Sequence, residues 1–361
     1  MRLEKREAPS AAMLWVAPLL AAATSVVLTG LLFTALRVNP FAALRLLYLA
    51  PLASANGVAE LALKMTPLLL CALGIAIGVR ANVWNIGAEG QFTMGAVAGG
   101  GIALALGPAG GWYVLPLVLA AGIAGGMAWA AIPAALRIGA NAHEILTTLM
   151  LNYVAQDILS WLVHGPWRDP QGFNFPQSRT FADAATLPTL WGTRLTPIFF
   201  VAMLAAPCAW LLLQHTTAGY RLRVAGLAPA AARYAGFSAR GTVWLSLLIA
   251  GGLAGLAGIA EVAGPIGQLM PTISPGYGYA AIIVAFLGRL EPFGIVVASA
   301  LMALLYLGAD GLQMHLQLPL SLTGTLQGML LFLLLAADVL VANRVVWRRA
   351  PAAAHAPGSM R

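Results

Sequence analysis

Three short stretches carry most of the side chains that could do chemistry. Asn85, Glu89 and Gln91, interleaved with Gly87 and Gly90, stand at the head of an apolar run. Glu144, Thr148 and Asn152 recur at every fourth residue, and His143 and Thr147 share that spacing, so each set lines one side of a helix. Carboxylate, amide and hydroxyl groups so placed can hydrogen-bond a polar solute or tie one helix to the next, and both readings stay open. The third stretch, Gly219–Ser238, is basic, and Pro229 and Gly236 bracket a short helix between them. With Gly226, Ala231, Ala232 and Arg233 it forms a small surface element, suited either to anionic lipid or to docking a partner protein.

Other chemistries are excluded by what is missing. The only lysines are Lys5 and Lys64, neither preceded by glycine, so no Gly-Lys-Ser/Thr phosphate loop exists and the chain cannot hydrolyse ATP alone. His143-Glu144 begins a zinc-protease pattern, but Thr147 stands where the second histidine belongs. No Gly-x-Ser-x-Gly elbow is present. Cys71 and Cys208 sit inside apolar runs and are expected to be buried, holding neither a disulfide nor a metal.

The elements that must position these groups lie in a membrane. Charged residues make up 9% of the 361 and hydrophobic ones 60%, and the mean hydropathy is +0.84. Too few polar residues remain to cover a soluble surface, which excludes a soluble enzyme, a nucleic-acid binder and a disordered chain. The net charge of +8 comes from basic residues scattered between apolar runs, not gathered on one face. Helices are expected over 13–36, 62–79, 87–106, 112–136, 144–164, 196–214, 241–263, 278–288, 293–309 and 320–341, about the length a bilayer core needs. The fold class is therefore all-α and polytopic, a single transmembrane domain over 1–361, with ten helices that could form two inverted five-helix halves. Gly264, Pro265, Gly267, Pro271, Pro275 and Gly276 precede the short eighth segment and predict a broken or re-entrant element around 264–292.

Charge sets the expected orientation. With a cytoplasmic N-terminus, Arg37, Arg45, Lys64, Arg168, Arg179 and Arg194 fall outside and the other fourteen basic residues inside. Tails 1–12 and 342–361 and the loop 216–240 are then cytoplasmic. The loop of about 165–195 is external, so a thiol at Ser178 should react from outside and one at Ser238 only from within. Gly74/Gly78, Gly95/Gly99, Gly122/Gly126 and Gly251/Gly255 are each four apart, the spacing of close helix packing in lipid.

Asn85-Ile-Gly-Ala-Glu-Gly-Gln91, Glu144-Ile-Leu-Thr-Thr-Leu-Met-Leu-Asn-Tyr153 and Ala231-Ala-Arg-Tyr-Ala-Gly236 resemble the permease subunits of bacterial ABC importers, in the group handling simple sugars, branched-chain amino acids and nucleosides, and look most like the nucleoside type. The resemblance covers roughly residues 40–340. The third motif is that group's general coupling motif, with Ala230 where glutamate commonly stands. What it implies is a multi-pass protein of the inner (plasma) membrane with both termini cytoplasmic, carrying a nucleoside or simple sugar inward. It also implies a separate cytoplasmic ABC ATPase holding the ATP and magnesium, a second permease subunit that is often a different chain, and an external substrate-binding protein. No cofactor, metal or nucleic acid is expected on this chain. Asn85, Glu89, Gln91, Glu144, Thr148 and Asn152 would line the solute path; Gly226, Pro229, Ala231, Ala232, Arg233 and Gly236 would meet the ATPase. The rival reading is an autonomous secondary transporter driven by protons or sodium through Glu89, Glu144 and Glu261. A purely structural subunit leaves the polar stripe unexplained.

Overall fold

The computed structural model describes residues 2–5, 11–107, 110–319 and 321–346. These residues form two compact groups, divided at Phe41/Ala42 and Thr323/Gly324. The smaller holds helix α1 (Ala11–Ala35), most of helix α13 (Ser321–Ala342), and the strands β1 (Arg2–Lys5) and β2 (Asn343–Val346). The strands pair antiparallel, Arg2 opposite Val346, which brings the two ends of the described chain side by side. This four-residue ladder is a small departure from the all-helical expectation.

The larger group is helical. It opens within α2 (Pro40–Leu44), at Ala42, and the helix tightens through a π turn at Arg45–Leu49 and a 3-10 turn at Ala50–Leu52. No helix was expected over 40–52. The turn holds because Leu47 is fully buried against Gly308, where an added Cβ would stand 2.7 Å from the Leu47 Cα.

Helix α3 (Ala55–Arg80) begins seven residues before the sequence boundary of 62, because the Ser54 hydroxyl accepts the Gly57 N–H at 3.0 Å and caps it. Residues 68–72 are at most 1% exposed. A helix apolar on every side belongs in the middle of a bundle, and α3 packs there against α7 (Ile198–His215), α10 (Ala239–Glu261), α11 (Tyr277–Leu287) and α12 (Pro292–Leu316). Lys64 lies within α3, in the expected segment 62–79, and pairs with Asp310 of α12 at 2.9 Å.

Helices α4 (Ala88–Leu106) and α5 (Val114–Ala140) complete a tight trio with α10. Gly95, Gly126 and Gly255 meet backbone to backbone: a Cβ on Gly126 would come within 2.7 Å of the Gly255 Cα. In lipid no hydrophobic force drives helices together, so dispersion across such close contacts supplies the attraction. The spaced glycines thus pack helices within one chain.

Helix α6 (Glu144–His164) is followed by an irregular loop that lies on the broken segment. After a π turn at Val262–Ile266 the chain has no regular structure until α11. The Leu269 and Gly267 carbonyls accept from Ser178 and Phe181 N–H at 2.9 and 2.8 Å, and Ala263 accepts from Leu187 at 2.8 Å. Ser178 is accordingly fully buried, and a thiol there would be shielded, contrary to the sequence expectation. Cys71 is buried as expected, whereas Cys208 is exposed on α7.

Every segment expected to span the bilayer is a helix. Five described helices are long and apolar enough to cross a membrane by length and composition: Ala55–Arg80, Val114–Ala140, Ile198–His215, Ala239–Ile266 and Pro292–Leu316.

Candidate functional site

The first turn of α4 starts inside the bundle, so its free backbone N–H groups need partners that water does not supply. Asn85 Oδ1 accepts the Gly87 N–H at 3.0 Å, and the Asn85 and Gln91 amides exchange two hydrogen bonds of 2.9 and 3.1 Å. Asn152 reaches across from α6, where Oδ1 accepts from Gly90 N–H at 2.8 Å while Nδ2 donates to the Ile86 carbonyl at 2.9 Å and the Tyr279 hydroxyl at 3.1 Å. Thr148 Oγ1 accepts from Ile86 N–H at 3.3 Å and donates to the Glu144 carbonyl at 2.7 Å.

Glu89 serves the other broken end. Its carboxylate accepts the Gly278 N–H at 2.6 Å in the first turn of α11, and Ser274 and the Tyr279 N–H also reach it. A negative charge against a helix N-terminus is favourable. The approach is close, since a Cβ on Gly278 would stand 2.6 Å from the Glu89 Cα.

Five of the six expected path residues, Asn85, Glu89, Gln91, Thr148 and Asn152, therefore gather at the junction of α4, α6 and α11 and bond to one another or to backbone. Glu144 stands apart. Arg137 Nη1 lies 2.9 Å from its Oε1, in a charge contact without hydrogen-bond alignment, and Arg137 Nη2 donates to the Asn82 carbonyl at 3.5 Å.

The expected coupling residues form a two-helix hairpin, α8 (Thr217–Leu227) and α9 (Pro229–Tyr234). Sequence reading found α9 but missed α8, whose start is fixed by Thr216 accepting the Gly219 N–H at 3.1 Å. Pro229 takes the first turn of α9, and Gly236 ends it at φ +77°, with Phe237 N–H bonded back to Ala232 at 2.9 Å. Of the two reasons a glycine could stand at 236, positive φ is the one that applies, because a Cβ would meet nothing within 4 Å. Gly226 sits against the Arg80 carbonyl at the end of α3. Ala232 is buried and Arg233 exposed, while Leu227 and Tyr234 stand 80% and 97% exposed.

Sequence reading missed two further groupings. At one end of the bundle a cavity of about 430 Å³ is lined by Glu60 and Lys64 of α3, Asp310 of α12 and Arg194, which pairs with Glu60 at 3.4 Å. On the outward side of α6, Tyr153, Asp157 and Trp161 are exposed. Their spacing of four was the available signal for the second grouping; the first joins residues too distant in sequence to leave one.

A mainly helical bundle with buried polar junctions, in which five described helices are long and apolar enough to cross a membrane, is that of a polytopic membrane protein. The profile of the family described as branched-chain amino acid transport system / permease component matches residues 57–335, and the chain belongs to that family. A glucose ABC transporter permease protein of Haloferax volcanii is 34% identical over 96% of this chain and 93% of its own. A nucleoside ABC transporter permease protein of Lactococcus lactis is 30% identical, with 82% and 84% covered. A guanosine ABC transporter permease protein of Bacillus subtilis is 32% identical, with 70% and 75% covered.

Proposed function

We propose that this chain is the permease subunit of an ABC importer carrying a nucleoside or simple sugar across the plasma membrane. The observation that carries the reading is the α8–α9 hairpin, a folded element fixed to the end of α3 that offers bare Leu227 and Tyr234 to a partner. Tyrosine is among the residues that most often anchor a protein contact. That partner is a cytoplasmic ABC ATPase, which holds the ATP and its magnesium. A second permease chain of different sequence completes the pore, an external binding protein delivers the solute, and both termini lie in the cytoplasm. The relatives' named cargoes, glucose, nucleoside and guanosine, support the solute class.

The interlocked amides at the α4–α6–α11 junction hold the broken helices in register, and Glu89 caps α11. In this reading they shape the path; they do not bind the solute directly.

Gly236→Trp tests the coupling. Gly236→Ala carries the same backbone strain, roughly 1–2 kcal/mol, without the bulk. In the reconstituted complex, Gly236→Trp should abolish uptake and the stimulation of ATP hydrolysis by loaded binding protein, while Gly236→Ala keeps both. Both readouts should fall together, because coupling between binding sites is reciprocal. Uptake that persists in Gly236→Trp, or runs on an ion gradient without ATP, would favour the secondary-transporter reading.

A further inference from the structure

The cavity between α3 and α12 stands at the opposite end of α3 from the hairpin. Glu60 and Lys64 are about 24–30 Å of helix from Arg80, where Gly226 packs, close to the depth of a bilayer core. In the orientation proposed above this end faces outward, the side from which solute arrives. The cavity holds about 430 Å³, within the range of small-molecule sites, about 300–1,000 Å³. Its walls are of two kinds. Leu46, Pro51 and Leu307 supply an apolar side, and Glu60, Lys64, Arg194 and Asp310 a charged one.

Both α3 and α12 are long and apolar enough to cross a membrane, and a charge carried on such a helix faces water or protein and marks a functional place. The charges are paired, Lys64 with Asp310 at 2.9 Å and Arg194 with Glu60 at 3.4 Å, but the pairs are not sealed. The Lys64 and Asp310 side chains keep 22% and 36% of their surface open, and those of Arg194 and Glu60 keep 61% and 27%. Arg194 also donates to the Pro265 carbonyl at 3.3 Å. Each carboxylate engages through one oxygen, Asp310 Oδ2 and Glu60 Oε1, and its second oxygen takes no hydrogen bond among the described residues. Two spare acceptors thus stand beside two cationic donors.

We propose that this cavity binds a neutral, polyhydroxylated ring solute, a sugar or the ribose of a nucleoside. Neighbouring ring hydroxyls donate to the spare carboxylate oxygens and accept from the Lys64 ammonium and the Arg194 guanidinium, and such charge-assisted bonds are stronger than neutral ones. The apolar wall takes the C–H face of the ring. Because both signs line the cavity, a charged solute meets a like charge there. Glu261 of α10, near enough to interact with Lys64 and Arg194, adds a third carboxylate against anions. The solute class rests on the import reading above, and the proposal goes beyond it by naming where that solute binds.

The test uses the assembled transporter in detergent, without ATP, in a Cys208→Ser background; Cys71 is buried. Met314→Cys places a thiol on the cavity lining at a position 74% exposed. A charged methanethiosulfonate should modify it, as read from the mass of this chain. Millimolar uridine or glucose should slow that modification several-fold, and glucose phosphate should not. Thr180→Cys, exposed in the 165–195 loop and away from the lining, should react at one rate with or without solute. Lys64→Gln and Asp310→Asn introduced together remove both charges and strand neither. The pair should raise the half-protecting concentration about tenfold and leave the melting temperature unchanged. A salt bridge that only ties α3 to α12 would give the reverse, lower melting with protection intact, and would overturn the proposal. So would an unreactive Met314→Cys, a lack of protection by either solute, or protection by short-chain phosphatidylethanolamine alone, the mark of a lipid headgroup site. Failure of the import reading shows separately, as wild-type uptake independent of ATP, because protection needs none.

Discussion

Asn152 joins three partners from two other segments, the Gly90 N–H, the Ile86 carbonyl and the Tyr279 hydroxyl. Asn152→Leu would strand the Gly90 N–H and the Ile86 carbonyl, each at about 1–3 kcal/mol for a buried unpaired group, while the partly exposed Tyr279 hydroxyl can turn to another partner. The purified protein should melt well below wild type, and less should reach the membrane. Glu89→Ala should destabilise similarly by uncapping α11, whereas Glu89→Gln keeps an acceptor oxygen and should lose less; thermal melting in detergent checks the order. Equal melting of all three variants and wild type would remove the junction's structural role. The spacing of Glu144, Thr148 and Asn152 showed in the sequence that they share a side of α6. Which way that side turns depends on the α4 first turn, which has to be capped from somewhere, and periodicity carries no such information.

At the scale of elements, close packing decides which glycines are replaceable. Gly139, in the last turn of α5, has nothing within 4 Å of an added Cβ, and Gly255 has the backbone of Gly126 at 2.9 Å. Gly139→Ala should raise stability by up to about 1 kcal/mol through helix propensity. Gly255→Ala should lower it by at least the 1–3 kcal/mol of overpacking, because the obstacle is backbone and cannot rotate aside. Melting temperatures shifting in opposite directions would confirm the α5–α10 contact; equal shifts would refute it. Hydropathy alone located the long helices, since a bilayer imposes a minimum apolar length. It missed α8, whose amphipathic, Arg-bearing run looks like a loop, and it misjudged the start of α3, where Asn56, Gly57 and Glu60 disguise a helix capped by Ser54.

For the whole molecule, the broken segment was legible from its prolines and glycines, but what satisfies its backbone was not. Residues 263–269 bond to Ser178, Phe181 and Leu187, and the Leu269–Ser178 contact spans 91 residues of sequence. The consequence lies in biogenesis. In the orientation proposed above, the loop leaves the ribosome first and must wait, already translocated, until α10 has threaded through and delivered its partner. During that interval a run of unpaired N–H and carbonyl groups stands open, and only completion of the later half closes it. A nascent chain halted before residue 262 should therefore be cut around Ser178 by protease added to the translocated side, and the full-length chain should resist at that place.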